Sequence, residues 1–205
     1  MIKNILFDMG NVLIRFEPAT FIRRLGIADP ADEGLLMRQV YRSIEWVQLD
    51  RGVLTEPEAL AKIKARLPER LGEAAEKLVS FWDRPLLAVE GMEELCAELA
   101  GAGYELYLLT NAGPRHREYW PRFPVSRFFP EDRICRSADW QLLKPEREFY
   151  EKALAMFSLK REECLFIDDS PNNAEGADRC GIHALVFHGD AGLLRQDLRE
   201  TGVRI

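Results

Sequence analysis

The chain has 205 residues, 47% of them apolar and 30% charged, with a net charge of −6. That is room for one full core plus a modest insertion. The negative balance argues against a nucleic-acid partner, which needs clustered Lys and Arg. No apolar run nears the roughly 18 residues of a membrane span, and the opening "KNILFD" has no signal-peptide layout, so the expectation is a cytoplasmic chain with no membrane partner. Cys96, Cys135, Cys164 and Cys180 are widely spaced and read as reduced thiols. Neither they nor the three histidines have the spacing of a zinc site.

In chain order, "NILF" (4–7) is the first predicted strand: short, apolar and followed by Asp8. Residues 17–87 then break the rhythm with one helical pattern after another. "ADEGLLMRQVYRSIEWVQLDRG" is amphipathic with a glycine stop, "TEPEALAKIKARL" opens with Thr55 and Glu58 at capping-box spacing, and "EAAEKLVSFW" follows. Phe16, Phe21, Tyr41, Trp46 and Trp82 would be mostly the core of this segment, with one or two free to close over a site. About 70 residues is far more than one crossover between parallel strands requires. The expectation is therefore a small inserted helical cap, 17–87, within a core made of 1–16 and 88–205.

After the cap, "GMEELCAELAGAG" (91–103) is a helix ending on glycines and "YELYLLT" (104–110) a second strand. "RIC" (133–135), "CLFID" (164–168) and "HALVF" (183–187) are further strands, separated by helices over 146–157, with Pro145 in the first turn, and over 172–181. Strands alternating with helices predict an α/β fold with a parallel sheet covered on both faces.

In such a sheet, ligands bind beyond the carboxyl ends of the strands. Asp8 follows the first strand, Thr110 and Asn111 close the second, and Asp168 and Asp169 close the fourth. Lys144 precedes the helix leading into that fourth strand. Singly, each has a plain structural reading: a turn aspartate, a helix cap, a solvated lysine. Together, an acid, a hydroxyl, a cation and an acid pair at one sheet edge describe a site.

The motifs "FDMGNVL", "LLTNAG", "LLKPEREFY" and "CLFIDDSPNNAEGA", in that order and nearly end to end, resemble the haloacid dehalogenase superfamily, with the insertion placed as in its helical-cap group. The resemblance implies a Rossmann-like core and a Mg²⁺-dependent phosphatase acting on a small phosphorylated metabolite. Asp8 would be the nucleophile, forming an aspartyl-phosphate that splits one hard hydrolysis into two easier steps. Asp8, the carbonyl of Gly10 and Asp169 would hold Mg²⁺, with Asp168 in the same shell or just outside it and Asn173 orienting the group. Lys144, the Thr110 hydroxyl and the Asn111 amide would meet the charge of the phosphoryl oxygens.

Gly10 departs from the pattern. Most phosphatases of the superfamily carry there a second aspartate that protonates the leaving oxygen, a role worth about 10²–10⁴-fold. "DMGNVL" with "TNAG", His116 and Trp120 resembles the bacterial sugar-1-phosphate phosphatases, where glycine is compatible with turnover. On that reading the substrate is a sugar phosphate, His116 could touch it, and turnover depends on how well the leaving group departs. Glu17 is a candidate substitute acid. The alternatives are a 2-haloacid dehalogenase, which needs no acid but also no metal-binding acid pair, and a binding or regulatory protein with an inactive site. Tyr119 and Trp120 read as packing, and Arg115 and Arg117 as solvated charges.

Overall fold

The computed structural model describes residues 1–85 and 87–205; Leu86, inside the expected cap range, lies outside the described residues. Five parallel strands form one sheet in the order β3-β2-β1-β4-β5. They are β1 (Asn4–Phe7), β2 (Glu105–Thr110), β3 (Ile134–Arg136), β4 (Cys164–Asp168) and β5 (His183–Val186). The chain begins in the centre, moves outward on one side through β2 and β3, and returns to the other side with β4. The reversal puts a crevice at the carboxyl end of β1.

Side chains alternate across the sheet with the two-residue strand period. Ile5, Phe7, Leu108 and Ile167 face a core closed by Leu95, Leu99 and Leu194 from two helices, Met92–Gly101 and Ala191–Glu200. Leu6, Leu109 and Phe166 face the opposite core with Phe149, Tyr150 and Ala177. With both faces covered, the central strand must be apolar throughout, and Ile5, Leu6 and Phe7 are fully buried.

Between β1 and β2 the chain is helical from Pro18 to Ser80 with interruptions, and it carries a third apolar cluster built on Ile22, Leu36, Ile63 and Leu78. The capping box at Thr55 and Glu58 forms as its spacing predicts. The long amphipathic run before it is not one helix. It divides into Pro30–Leu36, a π-helical stretch Met37–Tyr41, and Ile44–Asp50. Ser43 makes the break: its hydroxyl donates to the Val40 carbonyl at 2.7 Å and accepts from the Trp46 amide at 3.2 Å, which starts the next helix. No helix among the described residues is long and apolar enough to cross a membrane.

Two further details differ from the sequence reading. Pro145 lies ahead of its helix, which spans Arg147–Met156 with Glu146 at the N-cap, and the Lys144–Pro145 bond is cis. The C-terminal helix Ala191–Glu200, not anticipated, starts where the Asp190 carboxylate accepts from the amides of Gly192 and Leu193.

Candidate active site

The ladder of β1 runs one bond beyond the strand, since the Asp8 amide donates to the Ile167 carbonyl at 2.8 Å. This holds Asp8 at the sheet edge, nearly buried at 8% exposure. The chain then turns: the amides of Leu13 and Ile14 both donate to the Met9 carbonyl, and Asn11 takes a left-handed conformation, φ 54°, that asparagine tolerates. The Asn11 side chain accepts from the Phe16 amide at 2.9 Å and donates to Asp169 at 3.1 Å. One asparagine therefore fixes the turn and ties it to the end of β4.

Lys144 is buried at the centre of the site, and its ammonium has three partners. It donates to Asp8 Oδ1 at 2.5 Å, to Asp168 Oδ2 at 2.7 Å and to the Leu109 carbonyl at 2.8 Å. Asn111 sets the backbone that carries this lysine. Its side-chain Nδ2 donates to the Lys144 carbonyl at 3.0 Å, and its side-chain oxygen accepts from the Lys144 amide at 2.9 Å. Asp168 is fully buried and saturated with donors: besides Lys144, it accepts from the Ser170 amide at 2.9 Å and from Asn173 Nδ2 at 3.0 and 3.1 Å. Asp168 and Asn173 thus brace each other.

Asp8, Asp168 and Asp169 crowd together beside Lys144, and the crowding is felt by Asp8 and Asp169. Burial pushes the Asp8 carboxyl up to about 7; Lys144 pulls it down, while Asp168 and Asp169 add to the rise. Asp169 is also raised, by burial first, with Asp168 contributing and the Asn11 hydrogen bond opposing. Burial alone would lower Lys144, but the attraction of Asp8 and Asp168 outweighs it and holds the lysine above its ordinary value. Asp8, Asp168 and Asp169 can each offer an oxygen within 4.8 Å of the others. An all-oxygen set of crowded carboxylates suits a hard divalent cation such as Mg²⁺.

The same edge opens into a cavity of about 210 Å³. Asp8, Thr110, Asn111, Lys144, Asp169 and Asn173 line its floor, together with Gly10. Phe16, Trp46, Trp82 and Tyr119 form an aromatic wall, with ring centroids 5.0 Å apart for Phe16–Trp82 and for Trp82–Tyr119. Two of these four rings, Trp46 and Trp82, come from residues 17–87, and Phe16 immediately precedes that segment.

Some residues lie elsewhere than the sequence suggested. His116 does not line this cavity. It is fully buried, stacks on Trp120 at 5.5 Å and accepts from Arg136 Nε at 3.1 Å. Burial, with Arg136 and Arg117 adding to it, pushes its pKa well below the ordinary value, so it is a neutral packing residue rather than a substrate contact. Arg115 is not a solvated charge: it is largely buried and bonded to Glu56 at 2.8 Å and Asp83 at 2.7 Å. Glu17 sits outside the cavity, half-exposed, 3.4 Å from Arg15 and accepting from Thr20 at 3.0 Å. Asp50, which the sequence reading passed over, does line the cavity.

A family model for haloacid dehalogenase-like hydrolases matches residues 2–181. The chain belongs to this family. Among its relatives is a chloroplast flavin mononucleotide hydrolase from Arabidopsis thaliana, 27% identical, aligned over 98% of this chain and 78% of that protein. A sesquiterpene phosphatase from Aspergillus oryzae is also 27% identical, over 89% of this chain and 88% of its own length. The fold is shared with a haloacid dehalogenase-like enzyme from Bacteroides thetaiotaomicron solved with magnesium and inorganic phosphate (TM-score 0.70, 22% identity, 95% of this chain and 99% of that one). It is shared as well with L-2-haloacid dehalogenase from Xanthobacter autotrophicus (TM-score 0.66, 16% identity, 100% and 85%). As a haloacid dehalogenase-like hydrolase, the chain is an enzyme whose named relatives are hydrolases and phosphatases.

Proposed function

We propose that this haloacid dehalogenase-like hydrolase is a Mg²⁺-dependent phosphatase of a small phosphorylated metabolite, working through an aspartyl-phosphate on Asp8. The observation that carries this is the position of Asp8: 2.5 Å from Lys144, within ligand reach of Asp168 and Asp169, and facing a cavity. Asp8 attacks phosphorus as the bond to the leaving oxygen breaks. Lys144 favours the ionised form of that carboxylate and offers charge to the transferring group. The Thr110 hydroxyl and the Asn111 backbone amide donate to the phosphoryl oxygens, preorganised against a transition state whose charge lies on those atoms. Asp8, the Gly10 carbonyl and Asp169 would hold the metal, with Asp168 and Asn173 bracing them. Mg²⁺ held there would supply positive charge to offset the crowded carboxylates and the phosphate.

Residues 17–87 then act as a cap that covers the substrate and excludes water. The cavity is below the usual range for drug-sized ligands, which favours a small substrate, and a sugar phosphate remains the first class to test. The aromatic wall favours a second class, phosphates of flat or apolar alcohols, in keeping with the names of the two relatives. Four unpaired cysteines suit a reducing compartment such as the cytoplasm. A phosphate-release screen over sugar, flavin and isoprenoid phosphates, with Mg²⁺ and with EDTA, tests this reading. Metal-dependent release from at least one class supports it. Halide release from 2-haloacids with no phosphate release from any class overturns it.

A further inference from the structure

With glycine at position 10, the turn after β1 holds no acid for the leaving oxygen. The cavity supplies few substitutes. Its carboxylates are Asp8, Asp169 and Asp50, and no histidine lines it among the described residues. Asp8 is taken as the nucleophile and Asp169 as a metal ligand. Tyr119 also lines the cavity, but burial pushes its phenol far above the ordinary range and makes it a poor donor.

We infer that Asp50, at the end of the helix Ile44–Asp50, is the general acid that protonates the leaving oxygen and the base that then activates water, replacing the side chain Gly10 lacks. The inference rests on the phosphatase reading above. In the first step an Asp8 oxygen bonds to phosphorus, the bond from phosphorus to the leaving oxygen breaks, and the Asp50 proton passes to that oxygen, releasing an alcohol. In the second, the Asp50 carboxylate takes a proton from a water whose oxygen attacks phosphorus. The bond to Asp8 breaks, inorganic phosphate leaves, and Asp50 is again protonated.

A general acid must be held still, and Asp50 is. The Ser137 hydroxyl donates to the Asp50 carbonyl, and Arg51 donates to the Gln141 carbonyl at 2.9 Å and pairs with Glu146. At Gly52, φ is +74° and a Cβ would lie 2.5 Å from the Ala138 carbonyl oxygen; a Cβ on Gly113 would lie 3.1 Å from that of Leu49. The end of this helix is therefore seated directly on the core beside β2 and β3, with no room for a side chain between.

The surroundings also suit a proton carrier. Burial lifts the Asp50 carboxyl to about 8; the Gly113 backbone and Trp46 side chain oppose the rise and the charge of Asp8 adds to it. From β1 it faces Asp8, and across the shared cavity floor Asp169 and Lys144, whose donors are already engaged. In the narrow space behind it lie Glu56, Arg115, neutral His116 and Tyr119. Arg115 is held by Glu56 and Asp83, and among the described residues no cation pairs with Asp50. A carboxyl that keeps its proton near neutral pH is matched to general-acid work there.

The test is kcat/KM, which reports the first step, for alkyl and aryl phosphates of graded leaving-group acidity, in the wild type and Asp50→Asn. The wild type should depend weakly on the leaving group. The variant should lose about 10²–10⁴-fold on alkyl phosphates but stay within about tenfold on dinitrophenyl phosphate, whose leaving group needs no proton. Equal losses on both substrates overturn the inference. Should Asp50→Asn not fold, the wild-type series decides alone: a shallow dependence supports a general acid and a steep one overturns it. A wild type that hydrolyses none of the series defeats the phosphatase reading itself, and the role of Asp50 with it.

Discussion

Lys144 Nζ stands 2.5 Å from Asp8 Oδ1 while a second of its protons points to Asp168 Oδ2 at 2.7 Å. One buried cation thus joins the carboxyl ends of β1 and β4. Removing one partner of a buried ionic group leaves the others uncompensated, at a cost of about 3–5 kcal/mol. Lys144→Met should lower unfolding stability by about that amount in a urea titration and reduce phosphatase turnover by at least about 10²-fold. A variant as stable as the wild type would show that the three groups are not coupled.

The sheet and its strand ends were legible in the sequence because both follow from local rules. β1 and β4 have the predicted limits, and the other strands lie within one residue of theirs. Asp8, Thr110, Asn111, Lys144 and Asp169 meet at one edge because parallel strands all end on the same side. What escaped depended on long-range contact. Asp50 in "QLDRG" reads as a solvated acid at a helix end, and only the seating of Gly52 on Ala138 turns it inward. His116 was misplaced because nothing local shows that Arg136 and Trp120 enclose it. Asn11 reads as a turn residue, which it is, but its bond to Asp169 spans 158 positions.

Crowding of Asp8, Asp168 and Asp169 makes metal binding a stabilising event. Mg²⁺ at about 100 times its dissociation constant should add about 2.7 kcal/mol by mass action. A rise in the thermal midpoint with Mg²⁺ checks this, and Asp169→Ala should abolish the rise. No shift in the wild type at millimolar Mg²⁺ would contradict the assignment of the ligands.

Gly10 is not required by the backbone. A Cβ there would meet only Asp8 Oδ2 at 3.9 Å and Phe16 Cβ at 4.0 Å, both ordinary contacts. Gly10→Asp should therefore fold with a midpoint shift below about 4 °C, equivalent to roughly 1 kcal/mol. In an Asp50→Asn background it should restore hydrolysis of alkyl phosphates. Misfolding of the single variant would refute this reading of the turn.

Asp50 carries a pH signature of its own. Its carboxyl rises from 3.8 to about 8 on folding, so the native chain holds the proton more tightly than the unfolded one. Its contribution to stability is complete below about pH 4 and is lost as pH rises toward 8. Asp50→Asn has no such proton. In metal-free protein, the stability of wild type relative to the variant should fall steadily between those limits, as read by urea unfolding at several pH values. A difference independent of pH would contradict a protonated Asp50 in the folded chain.

Every step proposed for this site depends on phosphorylation of Asp8. Acid-quenched reactions with a turned-over phosphomonoester and Mg²⁺, analysed by intact-protein mass and peptide mapping, test it most directly. A phosphoryl group is expected on Asp8 in the wild type and none in Asp8→Asn, which should lose turnover with its fold retained. Sustained turnover by Asp8→Asn, or a phosphoryl group mapped to another residue, would contradict it.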